Sequence, residues 1–363
     1  MTSTKRRGAV VATAAVAAVA AGTAAWAFYA LSSNTDNATF TARSLAAPTG
    51  GTATVVSATS VTVSWTAPAA ATQLAGAQYA VTNTVDGHAV CTVSGSTCSD
   101  TTAIPGVLNT YSVKAVLPSS SWASAAVSPS ATPPPVFAVT NAAGGALSTQ
   151  VAGTQFQVKV TAMKGSPLAA DTTYSGARSV TFSGPSAAPN GTAPLVNGVA
   201  VGTASNVTFA SGAATVNATL YRRETAVALT ATTGAGATAV TGTSATFAVN
   251  AAGRTNLFFT SSSIDCSGGS VTVTRNTAGA WTSKVSVSDL YGNVVANTAA
   301  VTVSSSFPSG HTVASGSSLT IPSNASESTG SLSVTTANGN NTTRLLTSSA
   351  PGLTAATCSI TGT

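Results

Sequence analysis

Charge is almost missing from this sequence: 363 residues carry 14 Lys and Arg against 8 Asp and Glu, with only two His. Three of the basic residues, Lys5, Arg6 and Arg7, stand together at the amino terminus, so the remainder is close to neutral and has no basic stripe. Nucleic-acid binding needs such a stripe, interleaved with aromatic platforms, and is excluded. Aromatic residues are also scarce, at 6%. A Gly-x-Ser-x-Gly elbow is absent, and the two histidines, His88 and His311, lie far apart in sequence, which leaves no Ser/His/Asp grouping. Asp171, Glu224, Asp265, Asp289 and Glu327 are scattered among turn residues, so no paired-carboxylate site is expected either. These absences together predict a protein that is not an enzyme and carries no cofactor.

What is present is Ala, Thr, Ser, Val and Gly, with 44% hydrophobic residues. Little charge alone would suit a linker, but Val, Phe and Ile recur on alternate positions, the period of half-buried strands. Runs such as "SVTVSW" (Val61, Val63, Trp65), "TQFQVKVTA" (Phe156, Val158, Val160), "RSVTFSG" (Val180, Phe182), "AVALTATTG", "SVTVTRN" and "SSLTIPS" are separated by Gly, Pro, Asn and Ser turns. Many short alternating strands with regular turns predict an all-β chain of tandem sandwiches. Three consecutive prolines, Pro133 to Pro135, predict an extended linker and a boundary. The expected organisation is residues 1–44 as a leader and spacer, then sandwiches over 45–133, 136–250 and 251–363.

The amino terminus, "MTSTKRRGAVVATAAVAAVAAGTAAWAFYAL", joins a basic start to an uncharged run. Its length is near the roughly 20 residues that cross a bilayer. Small residues in "AAWA" also offer a signal-peptidase cut after Ala27. Two readings stand: a cleaved export signal, or a retained signal-anchor helix that is the chain's one membrane contact. Both export the protein. The carboxyl end, "TAATCSITGT", lacks an apolar tail and a Leu-Pro-x-Thr-Gly sorting signal, so any tether is expected at the amino terminus. The run "AGTAAWAFYALSSNTDNATFTARSL" resembles the leader of actinobacterial exported surface proteins of the TasA and camelysin type, which are cut by a SipW-type peptidase; Arg43 stands where that pattern has Gly.

From Leu45 to Pro133 the order of features resembles a fibronectin type III domain. Trp65 falls at that family's core position, and Tyr79, Val81, Tyr111 and Val113 fall on inward positions. The resemblance implies a tyrosine corner at Tyr111, although "IPGVLNTY" is one residue longer than the family's segment. "VSVSDLYGNVVANTAAVTV" resembles the bacterial immunoglobulin-like domains of invasin and intimin, with Asp289, Gly292 and Asn293 in the turn and Val294 where Pro is commoner. The segment 136–250 resembles the same class by pattern.

Four cysteines, Cys91, Cys98, Cys266 and Cys358, are an even count in an exported chain and read as disulfides. Four cysteines allow three pairings. The domain order selects Cys91 with Cys98 and Cys266 with Cys358, worth about 2.5 and between about 4 and 5 kcal/mol by loop length. A metal at Cys91 and Cys98 would need ligands beyond His88 and is not expected. Calcium at Asp289 and Asn293 would need more oxygens than this turn supplies. "TVDGHAV" signals an Asp-Gly hairpin at Asp86 and Gly87, and His311 is expected in a loop. Asn190, Asn206 and Asn217 begin Asn-x-Thr sequons of a kind this composition produces by itself. Trp122 and Trp281 are the candidate rings for stacking on a sugar; core or edge packing is the competing expectation. The function these features predict is an adhesive or spacer protein of a cell surface or matrix, with a surface protein or a polysaccharide as partner. A polysaccharide-binding accessory protein and a biofilm-type fibre subunit are the alternatives.

Overall fold

A computed structural model describes residues 27–32, 39–70, 73–118, 120–337 and 342–363. The signal or anchor reading of residues 1–26 lies outside them. Ala27, the expected cut site, opens the strand Ala27–Ser32, which pairs antiparallel with Thr39–Ser44. No helix among the described residues is long and apolar enough to cross a membrane. The fold is all-β, in tandem immunoglobulin-like and fibronectin type III-like sandwiches. Three separate apolar cores fill them. The chain divides into two compact units, one holding Ser60–Ala103 and Asn109–Ala131, the other holding Thr132–Thr363.

In the first unit, alternation decides which side chains are covered. Val61, Val63 and Trp65 face inward from Ser60–Thr66, as do Tyr79 and Val81 from Gln78–Asn83 and Tyr111, Val113 and Ala115 from Asn109–Val116. One sheet orders Thr49–Ser57, Ser60–Thr66 and Thr97–Asp100; the other orders Ala89–Val93, Gln78–Asn83, Asn109–Val116 and Ser130–Ala131. The Asp-Gly hairpin forms as expected, with Gly87 at φ +79°, a conformation that a side chain disfavours. The Cys91–Cys98 disulfide joins the edge strands of the two sheets.

The second unit contains two cores. Around the first, Val136–Thr140, Gln155–Lys164 and Ala213–Thr219 form one sheet with short additions, facing a second of Ala204–Phe209, Gly176–Ser183, Thr230–Thr233 and Val240–Thr243. Phe137 stacks on Phe209 at 5.5 Å and Tyr174 meets Phe209 edge-on at 5.0 Å, a packing that fixes the centre. One expectation needs correcting. "AVALTATTG" is not one strand: Glu224–Val227 pairs with Phe247–Asn250, and the chain then changes sheets so that Thr230–Thr233 pairs with Gly176–Ser183. Leu229, fully buried at the crossing, donates its N–H to the Ser244 hydroxyl at 3.0 Å, which satisfies the backbone where the ladder breaks.

Around the other core, Asn256–Thr260, Trp281–Ser288, Leu332–Thr335 and Thr312–Ser315 form a four-stranded sheet. The five-stranded sheet opposite runs Ser270–Val273, Ala356–Gly362, Thr342–Ser349, Val301–Ser306 and Ser318–Ile321. The carboxyl segment is an interior strand of this sheet. Cys358 and Ile360 are fully buried, and Ser270–Val273 runs parallel to it. The Cys266–Cys358 disulfide secures that parallel pair.

Candidate functional site

Of the two candidate sugar-stacking rings, Trp281 is covered and Trp122 is partly exposed. Trp281 is 0% exposed, its indole N–H donates to the Ile264 carbonyl at 2.8 Å, and Phe259 packs edge-on against it. Its place on a strand with inward alternation makes it core, with no ring face open to a sugar. Trp122 is half-buried against the core of the first unit. His311 lies in a loop but is buried. The Ala337 N–H donates to its Nδ1, so its proton sits on Nε2 and is given to the Ile360 carbonyl. Asp265 is an exposed turn carboxylate bonded to Ser267, and Glu327 pairs with Lys284 at 2.8 Å. Asp171 and Asp289, expected among the solvated turn residues, are instead buried.

The junction between the two cores of the second unit is built on Asp289. Its carboxylate is 0% exposed and takes four hydrogen bonds. Oδ1 accepts from the N–H groups of Tyr291 and Asn293, both at 2.9 Å, and Oδ2 accepts from the Ala252 N–H at 2.9 Å and the Asn293 amide at 2.8 Å. Asn293 reaches the other sandwich: its Nδ2 donates to the Tyr221 carbonyl at 2.7 Å and its Oδ1 accepts from the Arg223 N–H at 2.7 Å. Asn190 adds two more bonds, from its N–H to the Tyr291 carbonyl at 3.1 Å and from its side chain to the Leu290 carbonyl at 3.2 Å. The Tyr291 ring packs on Tyr221 at 4.9 Å and occupies the space a side chain at Gly153 would fill. Gly292 turns the chain at φ +83°. Every oxygen of the Asp289 carboxylate therefore faces N–H groups, an arrangement unfit for calcium, which binds through oxygen lone pairs. Among the described residues no group of His, Cys, Asp and Glu is suited to a metal.

A second polar cluster lies inside the first unit. His88 holds Asp86 on Nδ1 at 2.6 Å and Asp100 on Nε2 at 3.2 Å. Partial burial works to lower the His88 pKa, but the two carboxylates outweigh it and hold the value above the ordinary one. Burial likewise works to raise the Asp100 pKa, and the Thr102 N–H, the Tyr111 hydroxyl, the Thr102 hydroxyl and His88 together pull it below the ordinary range. The Tyr111 hydroxyl donates to Asp100 at 3.0 Å, so this tyrosine is anchored by a side chain eleven residues upstream. Asp86, His88 and Thr102 stand in the order of a catalytic triad, with Thr102 Oγ1 3.1 Å from Nε2. Asp100 Oδ1 lies against the same nitrogen at 3.2 Å, so Nε2 is shared between a carboxylate and the Thr102 hydroxyl.

No protein-family model matches the chain, and no curated protein matches it. In solved structures it is similar to native E. coli alpha-2-macroglobulin at 12% identity and a TM-score of 0.32, over 87% of this chain and 23% of that one. It thus spans about a quarter of that protein's length. It is also similar to the FN1–FN3 domains of chicken CNTN1, at 12% identity and a TM-score of 0.24, over 87% and 98% of the chains. The three N-terminal domains of the bacteriophage RB49 outer capsid protein Hoc are similar at 11% identity and a TM-score of 0.20, over 86% and 100%. At such scores the sandwich assignment rests on the strand pairing and burial described above.

Proposed function

We propose that this chain is a non-enzymatic, exported structural protein that works at a cell surface or in an extracellular matrix as a spacer or adhesive element. The observation that carries the reading is the Asp289 junction. A loop from one sandwich is bonded to three separate segments of the next, at Asn190, at Tyr221 and Arg223, and by the packing of Tyr291 over Gly153. A flexible linker would place no such demands on either sandwich; a spacer that must transmit position or force does. Two disulfides fit an oxidising compartment, and the leader resemblance supports export of an actinobacterial type. Support for a non-catalytic role comes from His88 and His311, whose ring nitrogens are all engaged in structural bonds.

The test is fractionation of the producing cells, with amino-terminal sequencing and thiol alkylation of the recovered protein. The expected result is a fully oxidised chain in the medium, wall or matrix fraction, starting near Phe28 if cut or intact if anchored. Recovery of a reduced chain from the cytosol overturns the reading.

A further inference from the structure

Beside the core of the first unit lies a cavity of about 320 Å³, bounded by the segment that connects Ser60–Thr66 to Gln78–Asn83 and by Tyr79 and Ser94. All of its lining residues belong to that one unit. Most are Ala, Gly, Pro or Leu, and none is charged. The Gln73 amide is engaged elsewhere, since its Oε1 accepts from the Ala46 N–H at 2.9 Å and its Nε2 donates to the Ala46 carbonyl at 3.4 Å. Two side-chain hydroxyls remain on the lining, those of Tyr79 and Ser94. Tyr79 is only 4% exposed, yet its hydroxyl has no hydrogen-bond partner among the described residues. Behind it Trp65, 5% exposed, packs at 5.4 Å between ring centroids, and its indole N–H is also without a partner.

A buried tyrosine hydroxyl ordinarily finds a partner, as Tyr111 of the same unit does in Asp100. Left unpaired, it costs free energy that a bound group returns by bonding it. A phenol both gives and takes a hydrogen bond, so the group that answers Tyr79 most fully is another hydroxyl. Around it the walls are methyl and methylene groups, chiefly of Ala67, Pro68 and Leu74, which favour an apolar body. A charged ligand would lose its hydration with no counter-charge to replace it, and a sugar would turn several hydroxyls onto walls that cannot bond them. The volume is at the lower end of the range for small-molecule sites, which suits a single ring. We infer that this cavity binds a small neutral molecule made of one apolar ring and a hydroxyl group, with the hydroxyl on Tyr79. The inference stands apart from the spacer reading, because it depends on neither export nor the Asp289 junction.

Saturation-transfer NMR on the full chain tests it, with cyclohexanol, cyclohexylamine, cyclohexanecarboxylate and methyl glucoside titrated separately at neutral pH. The expected result is saturable binding of cyclohexanol that exceeds binding of the two charged rings and of the sugar. Tyr79→Phe removes one oxygen and keeps the ring against Trp65, so it should weaken cyclohexanol binding about fivefold while the melting temperature holds. Ala67→Phe, at an exposed position on the lining, should fill the cavity and abolish binding. Should Tyr79→Phe melt early, Ala67→Phe gives the same readout at a position outside the core. Absence of saturable cyclohexanol binding, or binding that Ala67→Phe leaves intact, overturns the proposal. Binding that a well-folded Tyr79→Phe leaves unchanged, or tighter binding of either charged ring or of methyl glucoside, overturns it as well.

Discussion

Asp100 and Asp289 are the two most deeply buried carboxylates described, at 1% and 0% exposure, and they are satisfied in opposite ways. Asp100 is answered by the His88 imidazole, a phenol, a threonine hydroxyl and a backbone N–H, all from one sandwich. Asp289 is answered wholly by uncharged N–H groups, and its neighbour Asn293 carries the bonding into the adjacent sandwich. The first arrangement pins a hairpin to its own domain and makes it sensitive to pH. The second joins two sandwiches through backbone and amide N–H groups. A chain so poor in charge spends its few carboxylates at places where several backbone groups need one acceptor.

The difference can be probed at both places. The largest effect is expected from the long cross-link. Replacing Cys266 and Cys358 together by Ala releases a constraint across a sequence separation of 92 and should lower the stability of the second unit by about 4 to 5 kcal/mol. The matching change at Cys91 and Cys98, separated by seven, should cost the first unit about 2.5 kcal/mol. Denaturant unfolding of the two variants ranks them, and equal losses would refute the loop-length account. Between these values, Asp289→Ala strands four N–H donors in a buried site and should cost about 3 kcal/mol by the same measurement. A loss under 0.5 kcal/mol would mean that water replaces the carboxylate.

The smallest effect is a pH dependence confined to the first unit. His88 has a folded pKa above its ordinary 6.5, so its contribution is complete below 6.5 and is lost as pH rises through the folded value. Asp86 and Asp100 have folded pKa values below 3.8, so theirs is complete above 3.8 and is lost as pH falls through the folded values. The first unit should therefore be most stable between those limits and should weaken on the alkaline side. His88→Gln should flatten that alkaline fall, as read by the denaturant midpoint for hydrogen exchange in Asn109–Val116. An alkaline fall of the same size in the variant would assign it to another group.

Much of this was legible in the sequence, and the exceptions share a cause. Alternation gave Val61, Val63, Trp65, Val180 and Phe182 their inward positions, and the domain order gave both disulfides. The turn at Asp289, Gly292 and Asn293 was marked by its motif. Its partners were not, because Asn190, Tyr221 and Gly153 lie roughly 70 to 140 residues away and carry no local pattern. Asn190 even presents itself as a sequon. Trp281 at a turn-to-strand junction resembles an exposed ring until the strand's register is known, and a one-residue change of register moves a side chain from surface to core. In "TTRLLTSS" and "TAATCSITG" Thr and Ser hide the alternation: the buried positions are few, and only pairing across the sheet reveals them.

The bonds of Asn293 to Tyr221 and Arg223 are expected to make the last two sandwiches unfold as one cooperative body. Hydrogen exchange followed by mass spectrometry at rising denaturant tests it directly, with Gln155–Lys164 reporting one core and Trp281–Ser288 the other. The two strands are expected to lose protection at the same denaturant concentration, and Asn293→Ala to separate their midpoints. Separate midpoints in the unaltered protein would contradict it.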